Sequence, residues 1–173
     1  SDTVTGKAHR FPANFTRAEI NPELMVGPNL EQEILDSIEE AAKRGTKFFI
    51  IDNITFICKD LEKATKACAF MLKLIHLKKK YELTTIVIAH TPKRRRWRPI
   101  TGNDLAGSAK LINFFDAAIA MAPSVQDENL RYLKQVKVRT GEFQYNEENV
   151  LVLEKNLSEG YLKFDFVGCE REE

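Results

Sequence analysis

Two stretches, Phe48-Phe49-Ile50-Ile51 and Ile86-Val87-Ile88-Ala89, are unbroken apolar runs that stop abruptly at a polar residue, Asp52 and His90. A strand covered on both faces reads as such a run, whereas a half-exposed strand alternates. The pattern predicts buried strands at Lys47–Ile51 and Thr84–Ala89. Between and before them the period changes to that of a helix. Asn29 stands as a cap with Gln32 at the capping-box position, Leu30, Ile34, Ile38 and Ala41 form a stripe, and Gly45 closes it. A second helix is expected from about Leu61 to Lys79, with Leu61, Ala64, Cys68, Met71, Leu72 and Ile75 on one face. Its Lys78-Lys79-Lys80 end suits the negative pole of the helix dipole.

Residues Ser1 to Arg10 are polar and unpatterned and read as a flexible segment, followed by a short strand at Asn14–Ile20. Beyond His90, the segment Thr91–Pro99 holds too many cations for a regular element and reads as an exposed basic loop. A helix start at Thr101–Asp104 leads through Ser108, Leu111, Ile112 and Phe115 to another buried strand, Ala117–Ala122. Arg131–Arg139, Val150–Leu153 and Tyr161–Val167 read as antiparallel strands, with turns at Gly141 and Ser158-Glu159-Gly160. The order strand–helix–strand–helix–strand with a β-meander tail predicts an α/β fold, mostly parallel, with an antiparallel extension.

A chain of 173 residues is long enough for one domain with a sizeable core. Its net charge of +1 neither demands nor excludes a nucleic-acid partner. The apolar runs are far shorter than a membrane span and the start is not a signal peptide, so no membrane association is expected. Cys58, Cys68 and Cys169 are odd in number and lack Cys-x-x-Cys spacing, which reads as reduced thiols in a cytoplasmic protein. His9, His76 and His90 have no carboxylate or thiol at metal-ligand spacing.

In open α/β sheets chemistry collects beyond the carboxyl ends of the strands, where Asp52 and His90 stand. An aspartate there suits Mg²⁺, a hard cation that keeps its waters beside the phosphates it neutralises. The bland alternative is a cap after a buried strand, with Asn53 closing the turn. Lys137 and Arg139 share one side of a strand by its period of two, which suits a single anionic target or a solvated face. Among Lys93, Arg94, Arg95, Arg96, Trp97 and Arg98 the indole suits base stacking beside phosphate contacts. No Gly-x-x-x-x-Gly-Lys-Ser/Thr loop occurs; Gly6-Lys7-Ala8 is the only Gly-Lys pair.

In this order the motifs resemble the second part of a RecA-type P-loop ATPase core, closest to DnaB-like replicative helicases and the RepA-like ATPases of plasmids and mobile elements. Phe48–Asn53 resembles the Walker B strand and Ile86–His90 the sensor strand. Asp104-Leu105-Ala106-Gly107-Ser108 through Asp116 is similar to the helicase "DL…SG…AD" segment, and Lys137-Val138-Arg139-Thr140-Gly141 to the "K-x-R-x-G" hairpin. The resemblance implies that residues 11–173 form a partial RecA-like domain, from the Walker B strand to the C-terminal hairpins. In a longer parent, Asp52, Asn53 and His90 would face ATP, with Asp52 holding Mg²⁺ through water and His90 sensing the γ-phosphate. Lys137 and Arg139 would complete a neighbour's site in a ring or filament, and the basic loop would hold single-stranded or duplex DNA. The chain alone, without the phosphate loop, is expected to bind neither Mg²⁺ nor ATP and to be catalytically inactive. The rival expectation is a non-catalytic DNA-binding or assembly module on the same scaffold.

Overall fold

The computed structural model describes residues 12–20, 30–57, 64–91, 95, 97–104, 111–158 and 161–172. The chain is α/β, but its described strands form two separate sheets. β1 (Phe48–Asp52) and β2 (Thr84–Ile88) make a two-stranded parallel pair, in register from Phe48↔Thr84 to Asp52↔Ile88. β3 (Ala117–Pro123), β4 (Leu130–Val138), β5 (Val150–Ser158) and β6 (Tyr161–Glu170) make an antiparallel sheet in sequence order.

Helices α1 (Leu30–Lys43) and α3 (Ala64–Tyr81), with the one-turn α2 (Ile54–Ile57), cover one face of the parallel pair. α1 ends as its glycine dictates. Gly45 takes φ 101°, its N–H reaches Ala42 O at 3.0 Å and Thr46 N–H reaches Ala41 O at 3.0 Å, a Schellman closure. The core joins Leu35, Ile38 and Ala42 of α1, Phe70, Met71, Leu74 and Leu77 of α3, and Ile51, Ile54, Ile57, Leu83 and Leu111. A carboxylate fastens the two helices at their rim: Glu39 accepts from Lys80 Nζ at 2.8 Å and Tyr81 OH at 2.7 Å.

The second sheet buries a smaller cluster, Ile100, Ala122, Val150 and Val152, around a buried ion pair between Lys134 and Glu172. Glu172 Oε1 and Tyr132 OH both accept from the Ile100 N–H, each at 3.2 Å. That contact closes the carboxylate's environment.

Several expectations are corrected. The sheet is not mostly parallel: Ala117–Pro123 pairs antiparallel with β4, because the short link to Leu130 can only turn the chain back on itself. The runs at β1 and β2 are covered on one face only, with Phe48 and Ile50 each 52% exposed and Ile86 48% exposed. Residues 14–20 form no strand. The α1 stripe turns by one residue, to Leu35, Ile38 and Ala42, and α3 buries Phe70, Met71, Leu74 and Leu77 while Leu72 is exposed. Where a helix is expected after Thr101, the described residues hold two 3-10 turns, Gly102–Asp104 and Leu111–Phe114. The expectations for 1–10, for the Asn29 cap, for Leu61 and for Leu105–Ser108 lie outside the described residues.

Two measurements test this packing. Lys134→Met leaves Glu172 buried without a counter-charge and lowers unfolding free energy in urea by about 3–5 kcal/mol. Lys134→Met with Glu172→Leu recovers most of that loss. Lys80 first, then Tyr81, hold the Glu39 carboxyl down from 4.5 to about 2. Its contribution is therefore complete above pH 4.5 and fades as the pH falls toward 2. Glu39→Gln flattens the pH dependence of stability in that window.

Candidate functional site

Parallel pairing places the carboxyl ends of β1 and β2 side by side. Asp52 closes β1 opposite Ile88, and His90 follows two residues beyond Ile88. Both are exposed, and Asn53 between them is half-buried. Asn53 caps α2: its Oδ1 accepts the Phe56 N–H at 2.9 Å. That bond fixes which way the amide faces, so Asn53 Nδ2 lies 3.0 Å from His90 Nε2 as a donor. The imidazole must then offer a lone pair at Nε2 and carry its proton on Nδ1. The His90 N–H approaches Thr55 Oγ1 at 3.3 Å, which ties the segment after β2 to α2 a second time.

The result is a small polar edge of stated capacity. Asp52 offers an exposed carboxylate that accepts only. His90 offers an Nδ1–H donor because Nε2 is engaged. Among the described residues no group of three or more His, Cys, Asp or Glu could hold a metal ion directly. Mg²⁺ does not need one, since a single carboxylate reached through water is enough when phosphates supply the rest. Asp52 therefore fits the protein's share of such a site. The sequence supplies no glycine-rich cradle for the phosphates.

Lys137 and Arg139 are not gathered at this edge. Arg139 Nη1 meets Asp116 Oδ1 at 2.6 Å and its Nη2 reaches Asn113 O at 3.3 Å; Lys137 Nζ reaches Ile112 O at 2.7 Å. Lys78 also pairs with Asp116. Lys78 lies one turn from the end of α3, which feeds the start of β2, so this cluster stands at the far end of the parallel pair from Asp52 and His90. Lys78 foremost, then Arg139 and Lys137, hold the Asp116 carboxyl below its ordinary range. Lys137 is half-buried rather than solvent-facing, a correction that follows from its bond to the carbonyl end of the 3-10 turn. Asp116 was not foreseen as the partner of these cations. Its signal is a lone carboxylate directly before an apolar strand.

In the basic loop Trp97 is 66% exposed and the Arg95 guanidinium lies 5.8 Å over its ring. Arg98 pairs with Asp104 at 3.6 Å, and Asp104 Oδ2 accepts from Thr101 N at 2.7 Å and Thr101 Oγ1 at 2.9 Å. Lys93, Arg94 and Arg96 lie outside the described residues.

No protein-family model matches the chain, and comparison with curated proteins gives no match. No helix among the described residues is long and apolar enough to cross a membrane.

The Asn53 bridge has a measurable signature. Asn53→Ala removes the α2 cap and the His90 contact, and costs about 1 kcal/mol of stability. Asn53→Asp keeps the cap and loses less. Nitrogen NMR of the unaltered chain shows His90 as the Nδ1–H tautomer, and Asn53→Ala relaxes that preference.

Proposed function

We propose that this chain is the Walker-B-to-C-terminal part of a RecA-type ATPase acting on DNA, in which Asp52, Asn53 and His90 face the nucleotide. The observation that carries the reading is the shared edge: a carboxylate and an oriented imidazole end adjacent parallel strands and are joined through Asn53. A second observation supports it. β2 pairs only with β1 and β3 only with β4 among the described strands, leaving two strand edges where the resembled core carries its phosphate-loop strand.

In this reading Asp52 holds the water shell of Mg²⁺ and the Nδ1–H of His90 donates to the terminal phosphate. Mg-ATP, when bound, supplies the phosphoryl group to be transferred. Arg139, at the far end of the parallel pair, serves a neighbouring subunit in a ring or filament, a role worth roughly 10³–10⁵ in rate where such fingers have been measured. The loop Lys93–Arg98 holds the DNA strand. The fold in this reading is a RecA-like sheet completed by further strands, in a cytoplasmic protein.

The second reading, a non-catalytic assembly or DNA-binding module, is favoured by the Asp116 cluster, which already satisfies Lys137 and Arg139 within one chain.

Two results separate the readings. The coding sequence upstream of Ser1 either encodes a Gly-rich Lys-Ser/Thr loop within about a hundred residues, as the enzyme reading requires, or it does not. In a protein that includes that loop, Arg139→Ala abolishes turnover with ATP affinity nearly unchanged, since a finger acts on the transition state. Mixing it with Asp52→Asn restores part of the activity, because some interfaces then hold one intact copy of each. No restoration contradicts the trans role.

A further inference from the structure

One face of the antiparallel sheet is apolar and exposed, as is the uncovered face of the parallel pair. Cross-strand register puts on it Ile119 opposite Gln135, Met121 opposite Leu133, and Leu133 opposite Leu151. Further along, Arg131 faces Leu153, Leu153 faces Phe166, Lys155 faces Phe164 and Leu157 faces Leu162. The opposite face packs Ala122, Val150 and Val152 into the small core. This one leaves Phe166 63%, Phe164 43%, Leu157 59% and Leu162 56% exposed. An apolar face of this extent marks a contact surface.

Its chemistry selects the occupant. The strand positions on this face carry two charged residues, Arg131 and Lys155, both basic, and no carboxylate; Glu154 and Asp165 stand across from each other on the opposite side. Lys155 stands directly across from Phe164, and Arg131 lies in the same cross-strand row as Phe166. The two rings are two residues apart on one strand, about 7 Å along it, a spacing that successive unstacked bases can match. Aromatic rings on an open four-stranded sheet stack unpaired bases, and neighbouring cations meet the phosphates of a single strand. A second copy of the chain would bring Arg131 and Lys155 against their own like charges with no acid to receive them.

We propose that this sheet face binds single-stranded nucleic acid, with Phe164 and Phe166 stacking two bases and Lys155 meeting the backbone phosphate between them, while Arg131, whose Nη1 donates to Glu128 O at 2.8 Å and Leu130 O at 2.7 Å, adds positive charge at the rim. The inference extends the proposed handling of DNA but rests on residues other than Lys93, Arg94, Arg95, Arg96, Trp97 and Arg98, so the two fail separately.

The test is anisotropy of a labelled thymidine oligonucleotide with the intact chain across salt concentrations, alongside sedimentation. Phe164→Leu with Phe166→Leu keeps the apolar bulk and removes the ring faces; it should weaken binding at least tenfold. Phe164→Ala with Phe166→Ala should weaken it at least as much, with urea unfolding confirming that the chain stays folded. Lys155→Ala should flatten the log-affinity against log-salt slope by about 0.7. If the leucine variant binds as tightly as the unaltered chain, the proposal is overturned. It is equally overturned if the chain binds no oligonucleotide, or if it self-associates and the alanine variant only dissociates it. Loss of binding in a variant with Arg94, Arg95, Arg96 and Arg98 replaced by alanine, but not in the phenylalanine variants, overturns the platform and leaves the proposed function standing.

Discussion

Five residues of parallel pairing, Phe48–Asp52 beside Thr84–Ile88, decide where the other parts of the molecule stand. A parallel pair needs a crossover, and here α3 supplies it, returning the chain to the start of the sheet with its apolar face on the strands. The same pairing carries both strands to one edge, so Asp52 and His90 become neighbours although thirty-eight positions apart in the sequence. Asn53 then converts proximity into a defined state: by capping α2 with its oxygen it must present its nitrogen to His90. A slip of the register by one residue would turn Ile51 out of the core and separate the polar pair.

The two sheets divide the labour of stability. The helix-covered side of the parallel pair holds most of the buried apolar residues, each worth roughly 1.5–3 kcal/mol when fully removed from water. The antiparallel sheet has a thinner core, Ile100, Ala122, Val150 and Val152, set around a buried Lys134–Glu172 pair. Such a pair adds little net stability compared with an apolar substitute, but is costly to break, and so fixes the position of the C-terminal residues. Between the sheets, Asp116 joins the end of α3 to β4 through Lys78 and Arg139. One carboxylate serves both sides.

Local signals made the element types legible. Gly45 stops α1 as expected because only a residue tolerant of φ 101° closes that turn cheaply. The positions of Asp52 and His90 at strand ends were readable because an apolar run that stops at a polar residue marks the point where a strand leaves the core. The arrangement of strands was not. Ala117–Ala122 looks like a buried parallel strand by composition, but its small alanines suit an antiparallel hairpin with β4 as well, and run length cannot distinguish the two. Nor could it show that Phe48, Ile50 and Ile86 lie on an uncovered face, since an apolar residue reads the same whether its cover is present or not. The helix stripes were misplaced because aliphatic residues on both α1 and α3 are dense enough to support two adjacent faces. Asn53 as the bridge to His90, and Asp116 as the anchor of Arg139, depend on contacts across 37 and 23 positions that no local pattern encodes.

Under the proposed function the Asp52–His90 edge receives a metal–nucleotide complex. In a protein that includes the phosphate loop, this is measured by paramagnetic broadening of backbone amide signals by Mn²⁺, a stand-in for Mg²⁺, in the presence of millimolar ATP. Broadening concentrated at Asp52–Thr55 and His90–Thr91, reduced by Asp52→Asn and dependent on ATP, is expected. Broadening centred on the acidic turn Glu147-Glu148, or the same pattern with and without ATP, would contradict it.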